Sequence, residues 1–189
     1  MFLQRPQVAV LGSAREPSSS LISGKAFQLG REIGRLNGIV LTGGCTGLPH
    51  KAALGARTVG GLTLAVSPAA NRIEHIERYR YPTDSDVTMF TGMGNKGRNV
   101  VLMRSADIAI FLGGGIGTLN EFTIAFDDFT AEKVIGILSG SGLLSDSFFE
   151  IVAKSRRTPA MSLLTDSDPK LLAQKAFQEL SRKSDCKLT

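Results

Sequence analysis

The chain has 189 residues, of which 42% are hydrophobic and 21% charged, and a net charge of +5. That length suits one domain with a core that needs no covalent staples. No apolar run approaches the roughly 20 residues of a membrane span. Residues 1–6 are too short for a secretory leader.

Two cysteines, Cys45 and Cys186, stand without a paired-cysteine motif or a histidine cluster. This argues against a disulfide framework and against a zinc site, so no metal is expected. A reducing, cytoplasmic compartment fits. Residues 154–189 carry eight Lys/Arg against four Asp/Glu, so the positive excess lies at the C-terminal end and the body is nearly neutral. That pattern reads as a solvated basic helix and tail, and nucleic acid is disfavoured as a partner.

Strand-like and helix-like stretches alternate along the chain. VAVLGS (8–13) is an apolar strand that ends in small residues, and residues 20–36 follow with helical spacing. GIVLTGG (38–44) is a second strand, residues 50–58 a short helix and LTLAVSP (62–68) a third strand. Residues 69–85 lack periodicity and read as a long irregular connection. Within it, His75 belongs to a charged, solvated stretch. DVTMFTG (86–92) is a fourth strand, and a helix over Arg98–Ser105 leads to a fifth, DIAIFLGG (107–114). A helix over Thr118–Phe129, a strand over 133–140 and a helix near 146–155 come next. The last helix starts at Asp168, with Asp168 as N-cap and Pro169 at its first position.

This alternation predicts an α/β, Rossmann-like three-layer sandwich, with a mostly parallel sheet of about six or seven strands. A single domain spans 1–189, with the basic C-terminal helix and tail from about 168. In such a sheet, ligands bind beyond the carboxyl ends of the strands. Four strands end in glycine-rich or small-residue loops: 12–15, 42–49, 91–99 and 112–118. Four such loops on one edge point to an anionic, nucleotide-like ligand held by backbone amides and helix N-termini. The candidates are Gly12, Ser13, Gly43, Gly44, Thr46, Gly47, Asn99, Gly114, Gly115, Gly117 and Thr118. No GxxxxGK[ST] is present, and GSAREP is not GxGxxG, so Walker-type ATP hydrolysis and Rossmann-type NAD binding are both disfavoured.

GGGIGTLNE (113–121) resembles the PGGxGTxxE signature of the LOG family, formerly misnamed lysine decarboxylases. Arg98 stands 23 residues before Glu121, the spacing of that family's arginine helix. TGGCTGLPHKAALGA (42–56) is similar to the superfamily's second glycine loop. The resemblance implies binding of a nucleoside 5′-monophosphate and hydrolysis of its N-glycosidic bond to free base and ribose 5-phosphate. Gly114, Gly115, Gly117 and Thr118 would hold the phosphate, and Arg98 and Glu121 would be the catalytic pair, with no cofactor required.

That chemistry is sensible, because a carboxylate stabilises positive charge on the sugar or activates water. Glu121 is expected in the first turn of a helix, where the dipole keeps it ionised.

The sequence also departs from the family. Gly113 replaces the signature proline, Asn120 a common second glutamate, GNKGRN (94–99) an MHERK-like stretch and Pro49-His50 a Met-Gly. TGMGxxGRN with GGGxGTxxE looks closer to the branch of molybdenum-cofactor carrier proteins, which bind a phosphorylated pterin without turning it over. The cofactor is then the ligand. The superfamily also includes single-stranded-DNA binders and stand-alone nucleotide-sensing domains, so a nucleotide-sensing binding protein is the other non-catalytic alternative. Its habit implies a homodimer or homotetramer.

Simpler readings compete at several positions. Thr118 and Glu121 fit a capping box. Arg98 can be a surface arginine, Asn99 and His50 helix-start residues, and Cys45 a small structural residue. Asp127 and Asp128 read as surface charges rather than a metal pair, and GSG (140–142) as a turn near the same edge.

Overall fold

The computed structural model describes residues 5–15 and 19–185. Cys186 and residues Glu16 and Pro17 of the GSAREP turn lie outside the described residues.

Seven parallel strands form one sheet: β1 (Gln7–Gly12), β2 (Ile39–Thr42), β3 (Leu62–Ser67), β4 (Val87–Phe90), β5 (Ile108–Leu112), β6 (Val134–Leu138) and β7 (Ser162–Asp166). Their order is β4-β3-β2-β1-β5-β6-β7. The central strands are buried on both faces, which is why their sequences are continuously apolar rather than alternating. Among the described residues, seven helices cover the sheet: α1 (Ser20–Arg35), α2 (Leu48–Arg57), α3 (Arg72–Glu77), α4 (Gly94–Ser105), α5 (Ile116–Asp128), α6 (Phe148–Ser155) and α7 (Pro169–Asp185). A 3₁₀ turn, Leu143–Ser147, precedes α6.

The two faces carry separate cores. On one, Val8, Val10, Ile108 and Ile110 pack with Leu29 and Ile33 of α1, Ala52 of α2 and Leu172 and Ala176 of α7. On the other, Ala9, Leu11 and Phe111 pack with Leu102 and Met103 of α4, Phe122 of α5 and Phe148 of α6. Phe122 and Phe148 stack with ring centroids 4.1 Å apart, and Phe111 meets both edge-on. The face alternation within each strand follows from its period of two.

The chain turns back on itself at the β1–β5 pair. Strands β2 to β4 spread to one side of β1 and strands β5 to β7 to the other. The register pairs Gly12 with Leu112, so the loops after β1 and β5 leave the sheet at the same level. This is the topological switch point, where an open α/β sheet forms its ligand crevice.

Several expected boundaries move. Residues 69–85 contain a helix, α3, whose N-cap Asn71 accepts the Glu74 N–H at 2.9 Å. Six residues are too few to show helical periodicity. His75 on that helix is 1% exposed, not solvated. A seventh strand, β7, follows α6 and adds to the six that the apolar runs of the sequence predict. Helices α2, α4 and α5 begin two to four residues earlier than expected. Asp168 caps α7 as expected, its Oδ1 accepting from the amides of Lys170 (2.7 Å) and Leu171 (3.1 Å). Among the described residues, no helix is long and apolar enough to cross a membrane.

Candidate functional site

A cleft of about 550 Å³ opens at the switch point. Its floor and walls come from the loop after β1 (Gly12, Ser13, Ala14, Arg15), from α4 (Asn95, Lys96, Arg98, Asn99) and from the start of α5 (Gly115, Ile116, Gly117, Thr118, Glu121). Cys45, Tyr81 and Leu143 complete it. The volume lies within the usual range for small-molecule sites.

The loop Gly113–Gly115 is shaped by two consecutive left-handed residues, Gly113 at φ +58° and Gly114 at φ +91°. It is also held from behind. The Gly113 N–H donates to Ser141 Oγ at 2.8 Å, and the Leu144 N–H donates to the Gly114 carbonyl at 3.1 Å. The GSG turn after β6 therefore buttresses this loop. Helix α5 then starts at Ile116, and its first i→i−4 bond runs from Leu119 N to Gly115 O at 2.9 Å. The amides of Ile116, Gly117 and Thr118 precede that bond and have no carbonyl of their own helix to meet. Gly115 and Gly117 are exposed toward the cleft. A helix start of this kind, with its partial positive charge, suits an anion.

The early start of α5 overturns two expectations. No side chain caps the helix, so the Thr118–Glu121 capping box does not form. Glu121 lies beyond the first turn, and the helix dipole does not govern its ionisation. Burial does: Glu121 is 8% exposed, and desolvation pushes its carboxyl up to about 7 against the pull of Arg98 and Lys96.

Arg98 sits in the second turn of α4 and is 6% exposed. Its Nη1 is 3.9 Å from Glu121 Oε1, the outer limit of an ion pair. Its Nε is buried with no hydrogen-bond partner. An unsatisfied buried donor costs about 1–3 kcal/mol, more on a charged group. Asn99 stands beside them. Its Nδ2 donates to Asn120 Oδ1 at 2.9 Å, and turned over the same amide would set its nitrogen 2.9 Å from the Asn95 carbonyl and 3.3 Å from Glu121 Oε1. Asn120, which stands where the LOG pattern has a second glutamate, therefore braces Asn99.

The structure separates the sequence candidates into two groups. Gly12, Ser13, Arg98, Asn99, Gly115, Gly117, Thr118 and Glu121 line the cleft. Gly43, Gly44, Thr46, Gly47 and Gly114 stand behind it. A Cβ on Gly43 would overlap the Arg98 guanidinium, and one on Gly114 would overlap Thr118. Gly44 backs onto His75. Thr46 Oγ1 donates to the Ala14 carbonyl at 2.6 Å, and the Leu48 amide after Gly47 donates to Ser13 O at 2.9 Å. The second glycine loop therefore supports the first.

Cys45 is buried at the cleft wall, and desolvation lifts its thiol to about 11, which makes it an inert thiol at neutral pH. His50 pairs with Asp84, Nε2 to both carboxylate oxygens at 3.1 Å, away from the cleft. Asp127 and Asp128 pair with Arg157 and Arg104 at the surface. Tyr81, Lys96 and Arg15 line the cleft without having been singled out. Tyr81 lay in the segment read as irregular, and only its aromatic ring among charged residues marked it.

The chain belongs to the SLOG cluster4 family, whose model matches residues 5–172. The fold is shared with the molybdenum cofactor binding protein from the phototrophic bacterium Rippkaea orientalis, at 26% identity and TM-score 0.72 over 94% of this chain and 99% of that one. It is shared likewise with the Moco carrier protein from Chlamydomonas reinhardtii, at 25% identity and TM-score 0.71 over 95% and 99%. An uncharacterized protein of Archaeoglobus fulgidus is 31% identical over 103 residues. That match covers 54% of this chain and 63%, less than two thirds, of the relative.

Proposed function

We propose that this SLOG cluster4 chain binds a phosphorylated, nucleotide-like ligand in the cleft at the β1–β5 switch point. The phosphate sits at the start of α5, against the amides of Ile116, Gly117 and Thr118, and the rest of the ligand lies over Arg98, Asn99 and Glu121. The observation that carries this reading is the buried Arg98 guanidinium, whose Nε has no acceptor and whose carboxylate neighbour stands 3.9 Å off. A buried arginine left this way is short of an anion, and the ligand supplies it.

The reading extends to a carrier of a phosphorylated pterin, with the molybdenum cofactor as cargo. The names of the two structural relatives support this step. The donor set in the cleft suits a ligand gripped by its phosphate and ring: backbone amides, the guanidinium groups of Arg98 and Arg15, the Lys96 ammonium and two asparagine amides, with Cys45 held as a thiol. Among the described residues, no group of three His, Cys, Asp or Glu stands ready to ligate a metal.

A second reading, hydrolysis of the N-glycosidic bond of a nucleoside 5′-monophosphate, is favoured by Glu121. A buried carboxyl that titrates near 7 in a cleft is available in both protonation states at neutral pH. Ionised, it stabilises positive charge on the ribose or activates water. Arg98 orients the sugar phosphate. No cofactor enters that reaction.

A cytoplasmic setting and assembly into a homodimer or homotetramer belong to the same proposal. The assembly draws support from exposed Val87 and Met89 on the edge strand β4. The near-neutral body keeps nucleic acid disfavoured.

The test is calorimetric titration with AMP and with 6-hydroxymethylpterin monophosphate, alongside an assay for free base and ribose 5-phosphate. Binding of the pterin phosphate without turnover of AMP supports the carrier. Base release that Glu121→Gln abolishes establishes the hydrolase. Failure of both ligands and of inorganic phosphate to bind overturns the site.

A further inference from the structure

We infer that Tyr81 is a ligand-contacting residue that reads the part of the ligand beyond its phosphate, and that buried His75 is the positioning residue that places it. This rests on the phosphate-site reading above and adds to it the residue that distinguishes a ring-bearing phosphate from phosphate alone.

Tyr81 lines the cleft together with the glycine loop. Among the described residues its hydroxyl has no hydrogen-bond partner. The phenol stands within electrostatic reach of Arg98, Glu121 and Cys45, and partial burial raises its ionisation above the usual value. A half-buried tyrosine offers an apolar ring and one polar tip, and the tip ordinarily finds a partner. Here that partner is missing, and the phenol lies near the buried charges over which the ligand lies.

The position of Tyr81 is set by His75 at several points. The His75 carbonyl accepts the Tyr81 N–H at 3.2 Å. Its Nε2 lies 2.8 Å from the Pro82 carbonyl, which only accepts, so Nε2 carries the proton. Nδ1 is then the acceptor for Ser67 Oγ at 2.8 Å. Ser67 Oγ itself accepts the Ala69 N–H at 3.1 Å, which leaves its hydrogen free to point at the ring. The imidazole meets the Tyr81 ring edge-on, with centroids 5.6 Å apart at 80°, and the Phe90 ring at 5.8 Å. Arg80 adopts φ +54°, a left-handed conformation uncommon outside glycine, to turn Tyr81 inward. Beyond it, Asp84 is fixed by His50 and by Arg57 (3.4 Å), and Asp86 accepts from Thr63 N and Oγ1, each at 2.8 Å. A chain segment pinned so often, with one hydroxyl left unbonded in a cleft, is built to present that hydroxyl.

The experiment measures binding of AMP, 6-hydroxymethylpterin monophosphate and inorganic phosphate to the wild type, Tyr81→Phe and Ser67→Ala. The expected result is that Tyr81→Phe weakens whichever ring-bearing ligand the wild type binds by about tenfold, the worth of one hydrogen bond. It leaves inorganic phosphate unchanged. Gly117→Ala, whose new methyl projects at the helix start on the phosphate side, weakens both. If Tyr81→Phe binds the ring-bearing ligand as well as wild type does, or loses phosphate equally, the inference is overturned while the phosphate site stands. It is overturned too if the wild type binds phosphate but neither ring-bearing ligand. If nothing binds, it falls together with the site.

The chain has two tyrosines and no tryptophan, so in a Tyr79→Phe background Tyr81 is the sole ultraviolet reporter. Its phenol should ionise above the ordinary value near 10. Ser67→Ala, which frees His75 Nδ1, should bring it back toward that value and weaken the ring-bearing ligand in parallel. A Ser67→Ala protein with unchanged phenol titration and unchanged affinity would remove His75 from the positioning role.

Discussion

Gly43 lies flat against Arg98, so close that a methyl group there would overlap Nη1. Gly43 is not in a left-handed conformation, so alanine meets no backbone penalty at this position. The nearest atoms it meets are the far end of the flexible Arg98 side chain, which moves. Gly43→Ala should therefore fold with nearly wild-type stability and displace the guanidinium from its buried seat. Affinity for AMP or the pterin phosphate should fall at least tenfold, about 1.4 kcal/mol. Equal binding by variant and wild type would show that Arg98 does not hold the ligand.

The same buried arrangement makes stability depend on pH through Glu121. Its carboxyl ionises near 4.5 when exposed and at about 7 in the fold. Between those values the folded chain holds the additional proton, so stability falls as pH rises through this window. Below about 4.5 there is no penalty, and above about 7 it is complete, on the order of 3 kcal/mol. Glu121→Gln removes the titration. Urea unfolding at pH 5 and pH 8 should show the glutamine variant gaining on wild type at the higher pH. Parallel behaviour at both pH values would mean that the carboxylate is accommodated without cost.

The sheet, its direction and the edge at which the cleft opens were legible because buried parallel strands write continuous apolar runs, and four of them end in small-residue loops. The start of α5 was not legible. The TxxE pattern suggested a cap at Thr118, but glycine at 113–115 let the chain turn early and begin the helix at Ile116. That shift moves Glu121 from a dipole-stabilised end into a desolvated wall. His75 was missed for a different reason. Its neighbours in sequence are charged, and its burial comes from Ser67, Pro82 and Phe90, all brought in by the fold.

Gly113 shows why one departure from the LOG signature is physical. Proline fixes φ near −65° and has no N–H. Gly113 has φ +58°, and its N–H is bonded to buried Ser141. Gly113→Pro, which restores the signature residue, should therefore cost about 3 kcal/mol or more. It should also release the loop from the GSG turn. Thermal unfolding measures this directly, and a Gly113→Pro variant as stable as wild type would mean that the loop has a second conformation of similar energy.

Gly117 separates folding from binding most cleanly. It occupies the second position of α5, and a Cβ there meets nothing within 4 Å. Alanine is the better helix former, so Gly117→Ala should leave the free protein as stable as wild type or up to about 1 kcal/mol more stable. The new methyl projects at the helix start where the proposed phosphate approaches the amides. Affinity for inorganic phosphate and for AMP should drop together. Gly24 in α1 also has open space around its Cβ and does not line the cleft, so Gly24→Ala should gain stability without losing ligand. If Gly117→Ala binds phosphate as Gly24→Ala does, the anion does not sit on α5. The four glycine-rich loops would then be a packing device around the switch point rather than a cradle.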